Sequence, residues 1–388
     1  MKKLFSFFLA MLLCFCLIAC DNNDKDNAAV EGGSSSDNAL SGETAWLPSV
    51  ITYVGSDGTR FDMQTIEMEG TVARIRFYYQ YNGNTFLSSG YDVDLAKTNP
   101  LELTLVRSPA KDGSSNNGLR RFTVSEDGTT IVKESAYKIS EGINNTTTYT
   151  ITYDAQNRIE QVFITDKYED NPEDTEERFY LYGETGYTIS YTDMDWSQTD
   201  DDGTKVLRHY TYEIPYEGDK ITITETYRKQ DGSVHYPDDF HTGSDQKVEK
   251  LVYEANRQGF CTANTLYLKN GQTETNQDFF GNLRFSAEFN DKGMPTKYVT
   301  TSMDGTNPHT STFTYDANGN LTNYHEESSH DNFSYELQWK EYPAELSQIF
   351  AAAFNFSNFA IREVIEDNCP EILLGPQELI YQKDAICN

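Results

Sequence analysis

Along the middle of the chain, apolar and polar residues alternate with a period of two. Tyr149, Ile151 and Tyr153 fall on one side of the alternation and Thr148, Thr150 and Thr152 on the other. Ile221, Ile223 and Tyr227 oppose Thr222, Thr224 and Thr226, and Phe313 with Tyr315 opposes Thr312 and Thr314. Successive side chains of a strand project to opposite faces, so the pattern predicts strands with one face buried and one wetted. The β-branched and aromatic residues that fill these positions also favour strands.

Polar turns interrupt the alternation at intervals. Two matching copies are Tyr153-Asp154-Ala155-Gln156-Asn157-Arg158-Ile159 and Tyr315-Asp316-Ala317-Asn318-Gly319-Asn320-Leu321. Variants begin at Phe289, Tyr253 and Tyr216, and looser copies begin at Val54, Tyr81, Val124 and Tyr182. Asn, Asp and Gly tolerate the positive φ of a tight hairpin, and Asx side chains bond the local backbone. Counted from Val124, the copies are spaced by 29, 29, 34, 37, 36 and 26 residues. Each interval has room for two strands of ordinary length plus their turns. The expected fold is therefore all-β: an antiparallel β-hairpin repeat meander, curled into a barrel-like or open shell.

These copies resemble the YD repeats of Rhs-type proteins, in which a Tyr-Asp pair precedes a Gly-bearing turn and a Leu. Tyr315-Asp316 with Gly319 and Leu321 fits that motif; Tyr153-Asp154 lacks the glycine, and the other copies lose the pair itself. Taken with an apolar N-terminal run that ends Leu17-Ile18-Ala19-Cys20, the chain from Trp46 to Trp339 is also similar to a family of Bacteroidota lipoproteins of unknown function with a porin-like curled meander. That resemblance implies an architecture and carries no catalytic residue.

At the N-terminus, Lys2 and Lys3 precede a run from Leu4 to Ala19 that is apolar apart from Ser6. Its length suits a signal-peptide core and falls short of a membrane span. The run ends Leu17-Ile18-Ala19-Cys20, which resembles the bacterial lipobox. The resemblance implies cleavage before Cys20, diacylglycerol on its thiol, and a further acyl chain such as palmitate on the new amine. Buried acyl chains contribute about 0.8 kcal/mol per methylene, so the membrane is the first expected partner, reached through lipid on Cys20. The acidic run Asp21-Asn22-Asn23-Asp24-Lys25-Asp26 resembles surface-export signals of Bacteroidota lipoproteins; under enterobacterial sorting the same acidity marks inner-membrane retention. The expected location is the cell outer membrane, lipid-anchored and surface-exposed.

Four regions follow. Residues 1–19 form the signal peptide, and 20–45 a lipidated cysteine with an acidic, disordered tether too poor in large apolar residues to fold. Residues 46–341 form the repeat domain. Residues 342–388 differ from it: Pro343 suits a first helical position, and Leu346, Ile349, Phe350 and Ala353 keep helical spacing, as do Ala360, Ile361, Val364 and Ile365. A helical segment there would pack on the sheet and cover an edge.

Charge narrows the partners. The formal net charge is −30 and becomes more negative once Lys2 and Lys3 leave with the signal. Nucleic acid would be repelled, and such a surplus keeps a surface protein soluble and monomeric. Of six cysteines, Cys14 and Cys16 leave with the signal, and Cys261, Cys369 and Cys387 remain beside Cys20. Export permits disulfides, and a bridge between Cys369 and Cys387 would contribute about 3 kcal/mol. Cys261 reads as a small buried residue.

No motif supplies a catalytic or metal centre. His325 and His330 stand five apart, whereas a zinc-protease helix needs four, and within a strand an odd offset separates them onto opposite faces. Asp193, Asp195, Asp200, Asp201 and Asp202 with Gly203 offer hard oxygen ligands, but their register does not fit a calcium loop. Asp238, Asp239 and His241 read as surface residues in the same way. No nucleophile elbow or phosphate loop is present. The chain is therefore expected to be noncatalytic and without cofactor or metal, a binding or structural module whose partner is a glycan or a surface protein. The two rival readings are a glycan-binding lipoprotein of an uptake system, suggested by 26 tyrosines, and a carboxylate-dependent hydrolase.

Overall fold

The computed structural model describes residues 44–346, less short internal stretches of which 237–246 is the longest. The alternating segments form strands β1 (Thr44–Gly55), β2 (Arg60–Glu69), β3 (Val72–Tyr81), β4 (Asn84–Asp94), β5 (Leu101–Arg107) and β6 (Gly118–Val124). There follow β7 (Thr130–Ala136), β8 (Asn145–Tyr153), β9 (Ile159–Tyr168), β10 (Asp174–Tyr182), β11 (Gly186–Thr199) and β12 (Lys205–Pro215). The series continues with β13 (Ile221–Lys229), β14 (Val234–His235), β15 (Val248–Ala255), β16 (Cys261–Leu268) and β17 (Thr273–Thr275). It ends with β18 (Leu283–Phe289), β19 (Pro295–Ser302), β20 (His309–Tyr315), β21 (Leu321–Glu327) and β22 (Asn332–Pro343).

All belong to one 22-stranded antiparallel sheet. Among the described residues, sequence neighbours pair except at two places: β14 pairs only with the end of β13, which also pairs β15, and β17 has no ladder to β18. The first and last strands pair as well, from Thr44 opposite Pro343 to Gly55 opposite Phe333. Among the described residues no ladder joins β17 to β18, so the sheet is not closed into a barrel. The meander expected from the repeats is present, in its open form, and its free edges lie in mid-chain rather than at the chain ends.

The pleat sorts the side chains as the alternation requires. Ile221, Ile223 and Tyr227 are buried while Thr222, Thr224 and Thr226 are half-exposed. Curling turns these inner faces toward each other in two clusters. One gathers Ile51, Ile75, Leu103, Tyr298, Tyr324 and Leu337 from β1–β5 and β19–β22. The other gathers Ile151, Val162, Ile189, Tyr212, Ile223 and Leu266 from β7–β16. Phe260, just before β16, packs in the first cluster, so the β15–β16 turn bridges the seam.

One correction concerns the end of an element. Pro343 is the last residue of β22, paired with Thr44, and helical backbone begins one residue later, at 344–346. An open ladder partner on β1 outweighs the preference of proline for a first helical turn. Ala344 and Leu346 are buried against the sheet. The copies at Val54 and Tyr81 have the expected turn chemistry but fall out of phase with the rest. Strands alternate in direction, so the turns after β2, β4, β6, β8, β10, β12 and β15 share one rim with those after β18 and β20. Every copy from Val124 to Tyr315 lies on that rim, because each falls at the end of a strand that runs toward it. Val54 and Tyr81 end upward strands and turn at the opposite rim.

Ile51 is 3% exposed and sits opposite Leu337 in the ladder that joins the chain ends. Ile51→Ala should cost about 2–5 kcal/mol in urea unfolding, the range for a core truncation that leaves a cavity. A change below about 0.5 kcal/mol, the size of an ordinary surface substitution, would show that this ladder is not part of the core.

Candidate functional site

The repeated turns are built alike. Asp154 accepts the amides of Gln156 and Arg158 on Oδ1, at 2.9 and 2.8 Å. Asp316 does the same for Asn318 and Asn320, both at 2.9 Å. Asn290 takes Lys292 and Met294 at 2.9 and 3.0 Å. The residue three beyond each Asx has positive φ: Asn157, Gly319 and Gly293. The Asx carboxylate or amide thus satisfies the amides that a five-residue connection leaves over, and a residue tolerant of positive φ closes it.

The tyrosine of the motif has a second task. Tyr315 donates its hydroxyl to the Pro295 carbonyl at 2.7 Å, and Tyr153 reaches the Gly128 carbonyl at 3.4 Å. Each hydroxyl therefore ties its own turn to the preceding unit. Arg158 lies over the Tyr182 ring at 4.1 Å. Arg257 donates to the carbonyls of Gly218 and Pro215 at 2.6 and 2.8 Å. Asn256 Nδ2 donates to the Gly293 carbonyl at 2.6 Å, which carries the ties across the seam between β17 and β18. A collar of hydrogen bonds and ring contacts runs along this rim where the strand ladder does not.

Two polar chains lie on the inner face. On β10–β13, Arg178 is buried, ion-paired with Glu176, and 5.3 Å from the centre of the Tyr191 ring. Burial opposes its charge, but the Glu176 carboxylate and its hydrogen bond more than offset that and raise its pKa. Tyr191 stacks on Tyr210 at 5.0 Å and on Tyr212 at 6.1 Å. Burial pushes the phenols of Tyr212 and Tyr227 well above their ordinary value, reinforced by Tyr191 for the first and Glu225 for the second, so both stay neutral.

On β20 and β21, the Ser311 hydroxyl is 3.1 Å from that of Tyr324, which donates to Glu326 Oε2 at 2.7 Å. His309 Nε2 meets the other oxygen of Glu326 at 2.7 Å. Serine, histidine and carboxylate are all present, in the wrong order for nucleophilic catalysis. The serine proton goes to Tyr324, and the carboxylate separates serine from imidazole, so no nucleophile–base bond forms. The chain of bonds satisfies a buried carboxylate instead. Sequence reasoning missed Glu225 and Glu326, because a glutamate at an inward position of a strand has no local signature beyond its parity.

The residues singled out from the sequence are not brought together. His325 bonds Ser334 Oγ through Nδ1 at 3.0 Å, and His330 lies outside the described residues. Asp193 and Asp195 are on β11 and Cys261 is on β16, while Asp200, Asp201, Asp202, Gly203, Asp238, Asp239 and His241 lie outside the described residues. So do Cys20, Cys369, Cys387 and the second candidate helix. Among the described residues no group of three His, Cys, Asp or Glu side chains is placed to hold a metal ion.

The chain matches no family model and no curated protein. Among solved structures it is similar to a porin-like protein from Bacteroides uniformis, at 13% identity over 76% of this chain and 98% of that one, with a TM-score of 0.25. A porin-like protein from Bacteroides vulgatus follows, at 9% identity over 76% and 98%, with a TM-score of 0.20. A third is TcdB2-TccC3-TEV, at 10% identity over 74% of this chain and 21% of that one, with a TM-score of 0.13. Superpositions this loose carry no argument about what the chain does.

Two measurements probe this chemistry. Tyr324→Phe removes the donor to a buried carboxylate and should cost about 1–3 kcal/mol in urea unfolding; no change would mean that the Ser311–Tyr324–Glu326 chain does not form. Asp127, in the turn after β6, is held at a pKa of about 2 by hydrogen bonds from the Ser125 hydroxyl and from Thr129. A depressed folded pKa gives stability that is present above the unfolded value of 3.8 and is lost as pH falls toward 2. Asp127→Asn should therefore melt below the parent at pH 7, with the gap narrowing from pH 4 to pH 2; a gap independent of pH would contradict the assignment.

Proposed function

We propose that the chain is a noncatalytic lipoprotein of the outer membrane, held by lipid on Cys20 and exposed at the surface, whose sheet is a structural and binding module. One observation carries this reading. β1 begins at the rim of the short motif turns and β22 ends there, so the tether from Cys20 meets the sheet at its tied rim. The opposite rim, with its longer connections such as those after β5, β7 and β13, is the one farther from where the tether joins. A repeated sheet with its tether at one rim and loops on the far side is a display scaffold.

The outward faces support a sheet in water rather than in lipid. Thr148, Thr150 and Thr152 on β8, and Thr222, Thr224 and Thr226 on β13, put hydroxyls where a membrane barrel needs an apolar belt. The net charge of −30 opposes self-association and contact with anionic polymers, which fits a monomer that binds no nucleic acid.

Cys20→Ala removes the only proposed attachment. The variant should appear in the soluble fraction of cells, whereas the parent sediments with outer membranes and is cleaved by protease added to intact cells. A variant that still sediments with membranes would overturn the anchor.

A further inference from the structure

The hairpin of β3 and β4 parts from the ladders of its neighbours toward its tip. β2 pairs with β3 only as far as Phe77, and β5 pairs with β4 only from Ser89 inward. Among the described residues, Tyr78 to Tyr81 and Asn84 to Leu87 therefore have ladder partners only in each other. The register shifts between Phe77 and Tyr78, leaving Ser88 as an extra residue at the base, and a bulge of this kind bends its strand and increases the local twist. Asn82 and Gly83, with φ of 49° and 74°, close it in the two-residue turn that matches strand twist. The Ser108 hydroxyl steadies the base by donating to the Leu87 carbonyl at 2.7 Å.

This ribbon carries its apolar groups outside. Tyr79, Tyr81 and Phe86 are 50%, 66% and 43% exposed, and the register puts all three on one face with Asn84. Tyr79 and Phe86 are already stacked, with centroids 5.7 Å apart and planes at 28°. Residues 77–91 contain no charged side chain, in a chain that is 24% Asp, Glu, Lys and Arg. The turn lies on the rim opposite the tether.

We propose that this ribbon is a binding site for neutral polysaccharide, in which the C–H faces of hexose rings stack on Tyr79, Tyr81 and Phe86 and the amides of Asn82 and Asn84 bond their hydroxyls. Size and charge select this ligand. Three rings of about 200 Å² each, half exposed, offer roughly 300 Å², against the roughly 800 Å² per partner of a stable protein interface. Two or three sugar units fit that area. An anionic ligand finds no cation among residues 77–91 and meets the field of a strongly acidic protein, and a second copy brings the same charge. Prestacked rings on a bulged, tightly turned ribbon lose little freedom on binding. The proposal rests on the reading of the chain as a surface binding module but not on lipid attachment.

The test is affinity electrophoresis of the full-length mature protein in nonionic detergent, through gels holding amylopectin, dextran, yeast mannan or xyloglucan, with polygalacturonate as the anionic control. At least one neutral polymer should retard it, and polygalacturonate should not. Tyr79→Ala and Tyr81→Ala should each weaken that retardation about tenfold, as truncation of an aromatic anchor does, while Tyr81→Phe retains it. Circular dichroism of each variant should keep the strand signal of the parent; Tyr81→Ala, at the most exposed of the three positions, serves as the readout if the others do not fold. No retardation by any neutral polymer, equal retardation by polygalacturonate, or retardation unchanged in Tyr81→Ala would each overturn the site. Membrane fractionation of Tyr81→Ala should match the parent, so failure here and failure of the anchor are separate results.

Discussion

The pairing of the first strand with the last determines how the rest of the sheet lies. β1 and β22 are nearly the whole described chain apart, and their ladder has no local turn to set it. Loop closure over such a separation is costly, although the cost grows only slowly with length. Burial of Leu47, Ile51, Leu337 and Tyr342 along this ladder opposes it. Once these two strands are antiparallel neighbours, parity does the rest. Both chain ends leave from one rim, successive turns alternate between rims, and the unpaired edges move to the middle of the chain.

The motif is the local counterpart of that closure. Each copy from Val124 to Tyr315 turns at one rim, and there the side chains of one unit can reach the backbone of the next. The Asx residue completes its own turn, whereas the tyrosine hydroxyl completes a neighbour's, as Tyr315 does at Pro295. Across the seam, where the ladder lapses, Asn256 bonds Gly293 and Phe260 enters the opposite core cluster. The far rim is free of that constraint, and it is there that connections lengthen and an aromatic ribbon parts from its neighbours' ladders.

Strand identity, inner and outer faces, and turn chemistry were legible in the sequence, because each is set within a few residues. Ile221 and Ile223 announce their face by alternation, and Asp316 with Gly319 announces its turn. Register between distant strands was not legible: nothing near Ile51 names Leu337. The buried Glu326 reads as a solvated glutamate until Tyr324 and His309 are placed beside it. The exposure of Tyr79 and Tyr81 was equally hidden, since it arises from where β2 and β5 stop pairing and not from the ribbon's own residues. Pro343 carries only a helical preference in its local sequence, because the strand that recruits it lies at the other end of the domain.

The closure of β1 on β22 can be measured directly by disulfide trapping. Val54 lies opposite Ser334 in that ladder. In a chain with Cys261, Cys369 and Cys387 replaced by serine, Val54→Cys with Ser334→Cys should cross-link on mild oxidation, and Val54→Cys with Leu337→Cys should not. Cross-linking of the offset pair in preference to the opposed one, or of neither, would contradict the register on which both rims depend.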